Sequence, residues 1–359
     1  MKHYIAYDLG TGGIKASLHG EDVAPIAQVF SEYKTHYPRP RFQEQRPEDW
    51  WEAVCAATRE LLKETSVPPA DVACVALSGQ SLVALPLGAD KKPLKRQTPI
   101  WSDTRAEKQS ERFFETIDPR QWYLATGNGF PAACYSLFKI MWLRENEPAV
   151  YEKARWFIGS KDYVNLRLTG KVFTDFSYAS GTGSYGLKDG RMQAPFLNAA
   201  GVSADLFPPI LPSHAVVGRV TREAAGQTGL LEGTPVACGA VDNACMALGA
   251  VGAKEGAVYV SLGSSSWIPV NSREPVLDAG KKPYVFAHAA ENLFTSAYSI
   301  FAGGSSLRWA RDTLCPDFSR EADAYDRISR LAATAPPGAN GVLFNPSLAG
   351  GTSQDASVH

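Results

Sequence analysis

Apolar residues gather into short runs at residues 5–9 and 14–19, and between them stands Gly10-Thr11-Gly12-Gly13. That pattern predicts a glycine-rich β-hairpin, with residues 26–33 supplying a third strand. Past a loop rich in proline, arginine and aromatic residues (37–46) the period changes. Trp51, Val54, Cys55, Thr58, Leu61 and Leu62 recur at helical spacing, with Pro47 in the first turn and Glu48 and Asp49 beside it. Residues 72–77 read as a buried strand ending at Ser78-Gly79-Gln80. Thr104 and Glu107 predict a capping box for the next helix. Residues 135–144 and 161–168 predict two more helices, the second stopped by Gly170. Such a mixture of strands, helices and short glycine turns predicts an α/β fold.

The second half restarts the pattern. Residues 234–238 predict a strand, 243–248 a helix of small residues and 257–262 another strand, which Gly263-Ser264-Ser265-Ser266 turns into a returning strand at 267–270. Tyr4-Ile5-Ala6-Tyr7-Asp8-Leu9-Gly10-Thr11 and Val258-Tyr259-Val260-Ser261-Leu262-Gly263-Ser264 share one plan, an apolar strand followed by Leu-Gly-hydroxyl at a hairpin tip. This weak internal repeat predicts two similar domains, residues 1–248 and 249–359. A length of 359 residues fits two domains of roughly 100–200 residues each.

Charge narrows the function classes. Lys plus Arg number 36 against 37 for Asp plus Glu, so no global field gathers nucleic acid or coats an anionic membrane. No apolar run approaches the roughly 18 residues of a membrane span, and the N-terminus meets Asp8 too early for a signal peptide. The expectation is a cytoplasmic protein that binds a small molecule at a local site. Six dispersed cysteines, with no CxxC and no histidine at ligand spacing, predict packed thiols rather than a zinc or iron–sulfur site.

Glycine-hydroxyl tips let backbone N–H groups converge on an anion, and two facing tips could hold the ends of a triphosphate. They could equally be ordinary hairpins. Asp8, just before the first tip, favours the phosphate reading, since such a site needs a carboxylate or water shell for Mg²⁺. Asp242 follows a strand and opens a helix, so it is an N-cap, a general base or both at once. Gln80 and Trp101, near strand ends, suit sugar hydroxyls and sugar C–H faces, or a loop amide and a core indole. Lys15 reaches phosphate or solvent, and Asp103 with Arg105 reads as a structural ion pair. Gly181-Thr182-Gly183-Ser184-Tyr185-Gly186 fits GxGxxG, but a turn rather than a helix follows it, so a dinucleotide site is rejected.

Taken together these segments resemble the FGGY carbohydrate kinases, with xylulokinases the nearest general likeness. Asp8-Leu9-Gly10-Thr11-Gly12-Gly13-Ile14-Lys15 is similar to the family's N-terminal phosphate motif. Leu77-Ser78-Gly79-Gln80 and Pro99-Ile100-Trp101-Ser102-Asp103-Thr104-Arg105 look like its sugar-side segments. Gly239-Ala240-Val241-Asp242-Asn243-Ala244 resembles the catalytic-base segment, and Ser261-Leu262-Gly263-Ser264-Ser265 the second phosphate motif. Phe301-Ala302-Gly303-Gly304-Ser305-Ser306 matches the helix start near the nucleotide.

The resemblance implies an ATP-dependent sugar kinase with two ribonuclease-H-like (actin/hexokinase-type) domains around a cleft. It implies Asp242 as general base and Asp8 on the Mg²⁺–phosphate side. Gly10, Thr11, Gly12, Lys15, Gly263, Ser264 and Gly304 would serve the nucleotide phosphates. Gln80, Ser81, Leu82, Trp101, Asp242 and Asn243 would face a small sugar or polyol, first of all a pentulose. Ser81-Leu82 stands where xylulokinases carry Met-His, which removes a polar side chain and argues against a marked preference for D-xylulose. Gly12 replaces a frequent second hydroxyl. Asn345-Pro346-Ser347-Leu348-Ala349-Gly350-Gly351 resembles a segment midway through the second domain. The expectation is therefore an incomplete second domain with weak nucleotide affinity, and the alternative function is a sugar-binding remnant. A homodimer stays open.

Overall fold

The computed structural model describes residues 2–263, 266–300 and 303–346. β1 (His3–Leu9) and β2 (Gly13–His19) form the predicted hairpin, paired antiparallel from Tyr4↔His19 to Leu9↔Ile14. β3 (Pro25–Glu32) extends it antiparallel along β2. Next comes α1 (Pro47–Thr65), which begins with proline, where the missing N–H costs nothing, and ends at Ser66 in the left-handed region. It returns the chain so that β4 (Val72–Gly79) lies parallel to β1.

α2 (Ser136–Asn146) and α3 (Ser160–Thr169) follow, the latter closed by left-handed Gly170 as predicted. β5 (Val216–Arg219), β6 (Pro235–Ala237) and β7 (Ala240–Val241) complete the sheet. Its order is β5-β6-β4-β1-β2-β3, with β7 also parallel to the end of β4. Three antiparallel strands beside parallel ones are the ribonuclease-H-like layout expected of the first half.

Burial alternates along β1. His3, Ile5, Tyr7 and Leu9 are buried, and Tyr7 Oη meets Thr58 Oγ1 of α1 at 2.7 Å. Trp50, Val54, Ala57 and Leu61 bury the inner face of α1 in the same core. Truncating one of its large apolar side chains, such as Leu61, to alanine costs about 2–5 kcal/mol. The other face of β1 carries Asp8, and α4 (Asp242–Val251) lies along that side.

The second half forms an antiparallel sheet of β8 (Ser261–Leu262), β9 (Ser266–Ser272), β10 (Tyr284–Ala287) and β11 (Phe294–Ile300), in the order β8-β9-β11-β10. α5 (Gly304–Leu314) and α6 (Ala324–Ala333) follow it. A second apolar cluster joins the halves, with Trp122, Tyr135 and Phe138 packed with Leu82, Val241, Tyr284 and Phe286.

Two local expectations fail for physical reasons. The helix after Thr104 runs Glu107–Phe114 with Ala106 at its N-cap and no side-chain cap. Asp103 there accepts from Gln43 N and Arg105 N, which holds residues 103–105 in a turn outside the helix. The strand predicted over 257–262 is reduced to Ser261–Leu262 plus an isolated Val258↔Val270 bridge. Facing it, Pro269 has no N–H to donate to the ladder.

Candidate active site

The C-terminal ends of three neighbouring strands meet at one level. Asp8 of β1 lies opposite Ser78 of β4, and Ala240 and Val241 of β7 lie opposite Ser78 and Gly79. Asp8, Gln80 and Asp242 therefore emerge side by side, where ligands bind in open α/β sheets. The turn before β7 depends on Gly239, whose φ is +74° and where a Cβ would stand 1.9 Å from Leu77 O. Only glycine lets that backbone rest on β4.

Asp242 is the first residue of α4, and the N-cap position belongs to Val241, which makes no side-chain cap bond. Its Oδ1 accepts from the adjacent Asn243 N at 2.8 Å. It is therefore not the N-cap residue, although its carboxylate takes up one N–H of the helix's first turn. Burial lifts the carboxyl to about 7, and the nearby charge of Asp8 adds to the rise. Asp8 Oδ1 accepts from Ser78 Oγ at 3.0 Å. Among the described residues no ion pair forms at Asp8, and no group of three His, Cys, Asp or Glu side chains is placed to hold a metal ion.

A buried network carries the strand end behind Asp242. Val241 N donates to Ser177 Oγ at 2.9 Å, and the hydroxyls of Ser177 and Ser213 donate to Asp175 Oδ2. Lys161 Nζ lies 2.6 Å from Asp162 and 2.8 Å from Asp175, all three without exposure.

The hairpin tip is braced by residues that sequence reasoning missed. Gln45 Nε2 donates to Thr11 O at 2.7 Å and to Thr35 Oγ1 at 2.8 Å. Its Oε1 accepts from Trp50 Nε1 at 2.9 Å and Gln80 Nε2 at 2.7 Å. Tyr33 Oη donates to Gly10 O at 2.6 Å. Trp101, 37% exposed, donates its indole N–H to Thr11 Oγ1 at 2.9 Å, leaving the Thr11 proton to offer elsewhere. Thr11, Gln80 and Trp101 are thus tied together through Gln45. Gln80 Oε1 is buried and has no partner among the described residues.

Ser81 is buried beside Gln80, while Leu82 turns into the apolar cluster with φ +60°. Lys139 Nζ holds the Leu82 carbonyl at 2.9 Å and the Ile100 carbonyl at 2.6 Å, joining the segments around Gln80 and Trp101. Burial pushes this ammonium down to about 8. Asp103 and Arg105 form a bidentate pair at 2.8 and 2.7 Å, and Arg105 also pairs with Glu44 at 2.7 Å, a structural role. Lys15 is exposed and sits across from Asp8 on β2, where both line a cleft of about 570 Å³ with Ser78 and Gly239.

On the second half, Gly304 N donates to Gly263 O at 2.8 Å, so those two expected residues meet. Ser264 lies outside the described residues, as do Ser265, Phe301 and Ala302. Among the described residues no hydrogen bond or ion pair links Gly263 or Gly304 to Asp8 or Asp242.

A family profile described as "FGGY family of carbohydrate kinases, N-terminal domain" matches residues 3–249. Xylulose kinase of Bacillus subtilis is 31% identical over 350 residues, covering 98% of this chain and 68% of that protein. Gluconokinase of Bacillus licheniformis is 28% identical over 355 residues, covering 97% of this chain and 68% of that protein. Among solved structures, xylulose kinase from Rhodospirillum rubrum superposes with a TM-score of 0.91 at 28% identity, covering 99% of this chain and 72% of that one. Both halves of the α/β architecture thus follow the actin/hexokinase-like fold of sugar kinases. With more than half its length matched in the strand order that sets Asp8 beside Asp242, the chain belongs to the FGGY family of carbohydrate kinases and is a sugar kinase.

Proposed function

We propose that this chain transfers the γ-phosphoryl group of ATP to a hydroxyl of a small sugar, a pentulose first of all, with Asp242 as general base. The observation that carries this reading is the meeting of Asp8, Gln80 and Asp242 at adjacent strand ends, with the Asp242 carboxyl lifted to about 7. A carboxyl near neutrality suits proton exchange at working pH. In the transfer, the sugar oxygen bonds to the γ-phosphorus and the bond from that phosphorus to the ADP oxygen breaks. The hydroxyl proton passes to the Asp242 carboxylate.

Mg²⁺ would offset phosphate charge during transfer. Asp8 fits it, since a single carboxylate completed by phosphate and water is a usual Mg²⁺ setting. Its one described hydrogen-bond partner is the neutral Ser78 hydroxyl, and its negative charge repels that of Asp242. Gly10, Thr11, Gly12 and Lys15 would hold phosphate on one side, and Gly263, Ser264 and Gly304 on the other. In support, a Cβ at Gly12 would meet open space, so its backbone is reachable by an anion. Gln80, Ser81, Trp101 and Asn243 would meet the sugar, with Leu82 as apolar backing. The division into residues 1–248 and 249–359 is supported by a profile match that ends at 249. The cytoplasm, where ATP and free sugars occur together, is the proposed location.

A second reading, sugar binding without turnover, is favoured by the apolar exposure of the second half at Leu262, Val342 and Leu343. Asp242→Asn separates the two. Under the kinase reading, turnover falls by roughly 10²–10⁴ while sugar affinity by calorimetry holds. Sugar binding with no ADP release in either protein supports the second reading.

A further inference from the structure

Gln45 is fully buried, and every polar position of its side chain is occupied. Its backbone pairs with Thr98, and the neighbouring Gln43 O accepts from Ile100 N at 3.0 Å, so the residue is carried on the segment that leads to Trp101. A glutamine amide has two N–H donors and two oxygen lone pairs. Here the donors go to Thr11 O and Thr35 Oγ1, and the oxygen accepts from Trp50 Nε1 and Gln80 Nε2. A flipped amide would set its oxygen against the Thr11 carbonyl and its NH₂ against two other donors, so one orientation alone satisfies the group. That orientation acts on the hairpin tip through its peptide planes. Tyr33 Oη holds Gly10 O at 2.6 Å, and Thr35 Oγ1 joins Gln45 on Thr11 O at 3.3 Å. The tip peptides are trans, so each N–H points away from the carbonyl of its own plane. With both carbonyls drawn toward Tyr33, Thr35 and Gln45, the Thr11 and Gly12 N–H groups turn to the opposite side. Neither has a hydrogen-bond partner among the described residues. Successive N–H groups left free in a turn are what an anion takes up.

We propose that Gln45 is a positioning residue for the transfer, aiming the Thr11–Gly12 peptide at phosphate through its Nε2 and fixing the Gln80 amide for the sugar through its Oε1. This rests on the phosphate tip and the acceptor site proposed above. One buried side chain thereby sets the spacing between the supports of the two substrates. A misplacement of about 1 Å between reacting groups costs about 10²-fold in rate.

The test is ADP release and calorimetric D-xylulose binding by the 359-residue chain and by Gln45→Glu, Gln45→Met and Gln80→Ala. Gln45→Glu keeps an oxygen for Trp50 and Gln80 but faces Thr11 O with a second one. Its kcat/KM for Mg·ATP at saturating sugar is expected to fall about 10²-fold, with D-xylulose affinity within about twofold of wild type. Gln45→Met keeps the length, carries no charge to repel phosphate, and releases both Thr11 and Gln80. It is expected to lose as much toward Mg·ATP and also to bind D-xylulose about tenfold more weakly. A merely structural brace would lower Tm in both variants without this split, and if Gln45→Met does not fold, the split in Gln45→Glu decides alone. Wild-type values in Gln45→Glu, or D-xylulose affinity lost along with Mg·ATP in that variant, with Gln80→Ala impaired, overturns the Gln45 role and leaves the site standing. An unimpaired Gln80→Ala, or a wild type that releases no ADP, overturns the site and the Gln45 role together.

Discussion

The Asp242 carboxyl opens a helix whose N-cap is Val241, takes up only the adjacent Asn243 N–H, and its burial has a titration consequence. Only the ionised form accepts a proton, so kcat/KM is expected to rise with pH, reach half its limit near the value of about 7 and level off above it. A flat profile between about pH 5.5 and 8 contradicts the base assignment. Stability moves the opposite way. The folded-state value is raised, so the stability this group lends at acid pH is lost as pH rises through about 7. Asp242→Asn should therefore melt no lower than wild type at about pH 8 while losing turnover. Asp8, Gln80 and Asp242 were legible in the sequence because each follows an apolar run that had to be a strand. Gln45 was not: it sits in a two-residue strand paired with Thr98–Pro99, too short to show a period, and takes its role from Thr11 and Gln80.

The elements that aim these residues depend on buried polar groups more than on propensity. α3 carries Lys161 and Asp162, and Lys161 also pairs with Asp175, whose hydroxyl partners reach β7 just before Asp242. Lys161→Met leaves two buried carboxylates without their cation, and a loss of about 3–5 kcal/mol in urea unfolding is expected. A loss below about 1 kcal/mol would mean the carboxylates find other partners. Strand periods and the glycine stop after α3 could be read directly, since alternation and left-handed caps are local properties. The cap at Thr104 and the strand over 257–262 could not. Both turn on tertiary partners, the buried Asp103–Arg105 pair in one case and Pro269 across the sheet in the other.

At the scale of the whole molecule, the two halves differ in finish. The first buries its sheet under α1, whereas the second exposes Leu262 at 81%, Val342 at 73% and Leu343 at 94%. Exposed apolar side chains on that scale favour association. Light scattering is expected to show concentration-dependent self-association that Leu262→Ser with Leu343→Ser reduces, and a strictly monodisperse wild-type monomer contradicts it. The halves still share one apolar cluster, so the segments carrying Leu82 and Val241 pack as one with the second sheet. The most direct measurement is ADP release by the 359-residue chain and by Asp242→Asn, with saturating ATP and Mg²⁺, across pentuloses, sugar acids and polyols. The predicted result is release that requires a sugar, with no marked preference for D-xylulose, and that falls by roughly 10²–10⁴ in the variant. Sugar-independent release, or a variant as active as wild type, contradicts the account.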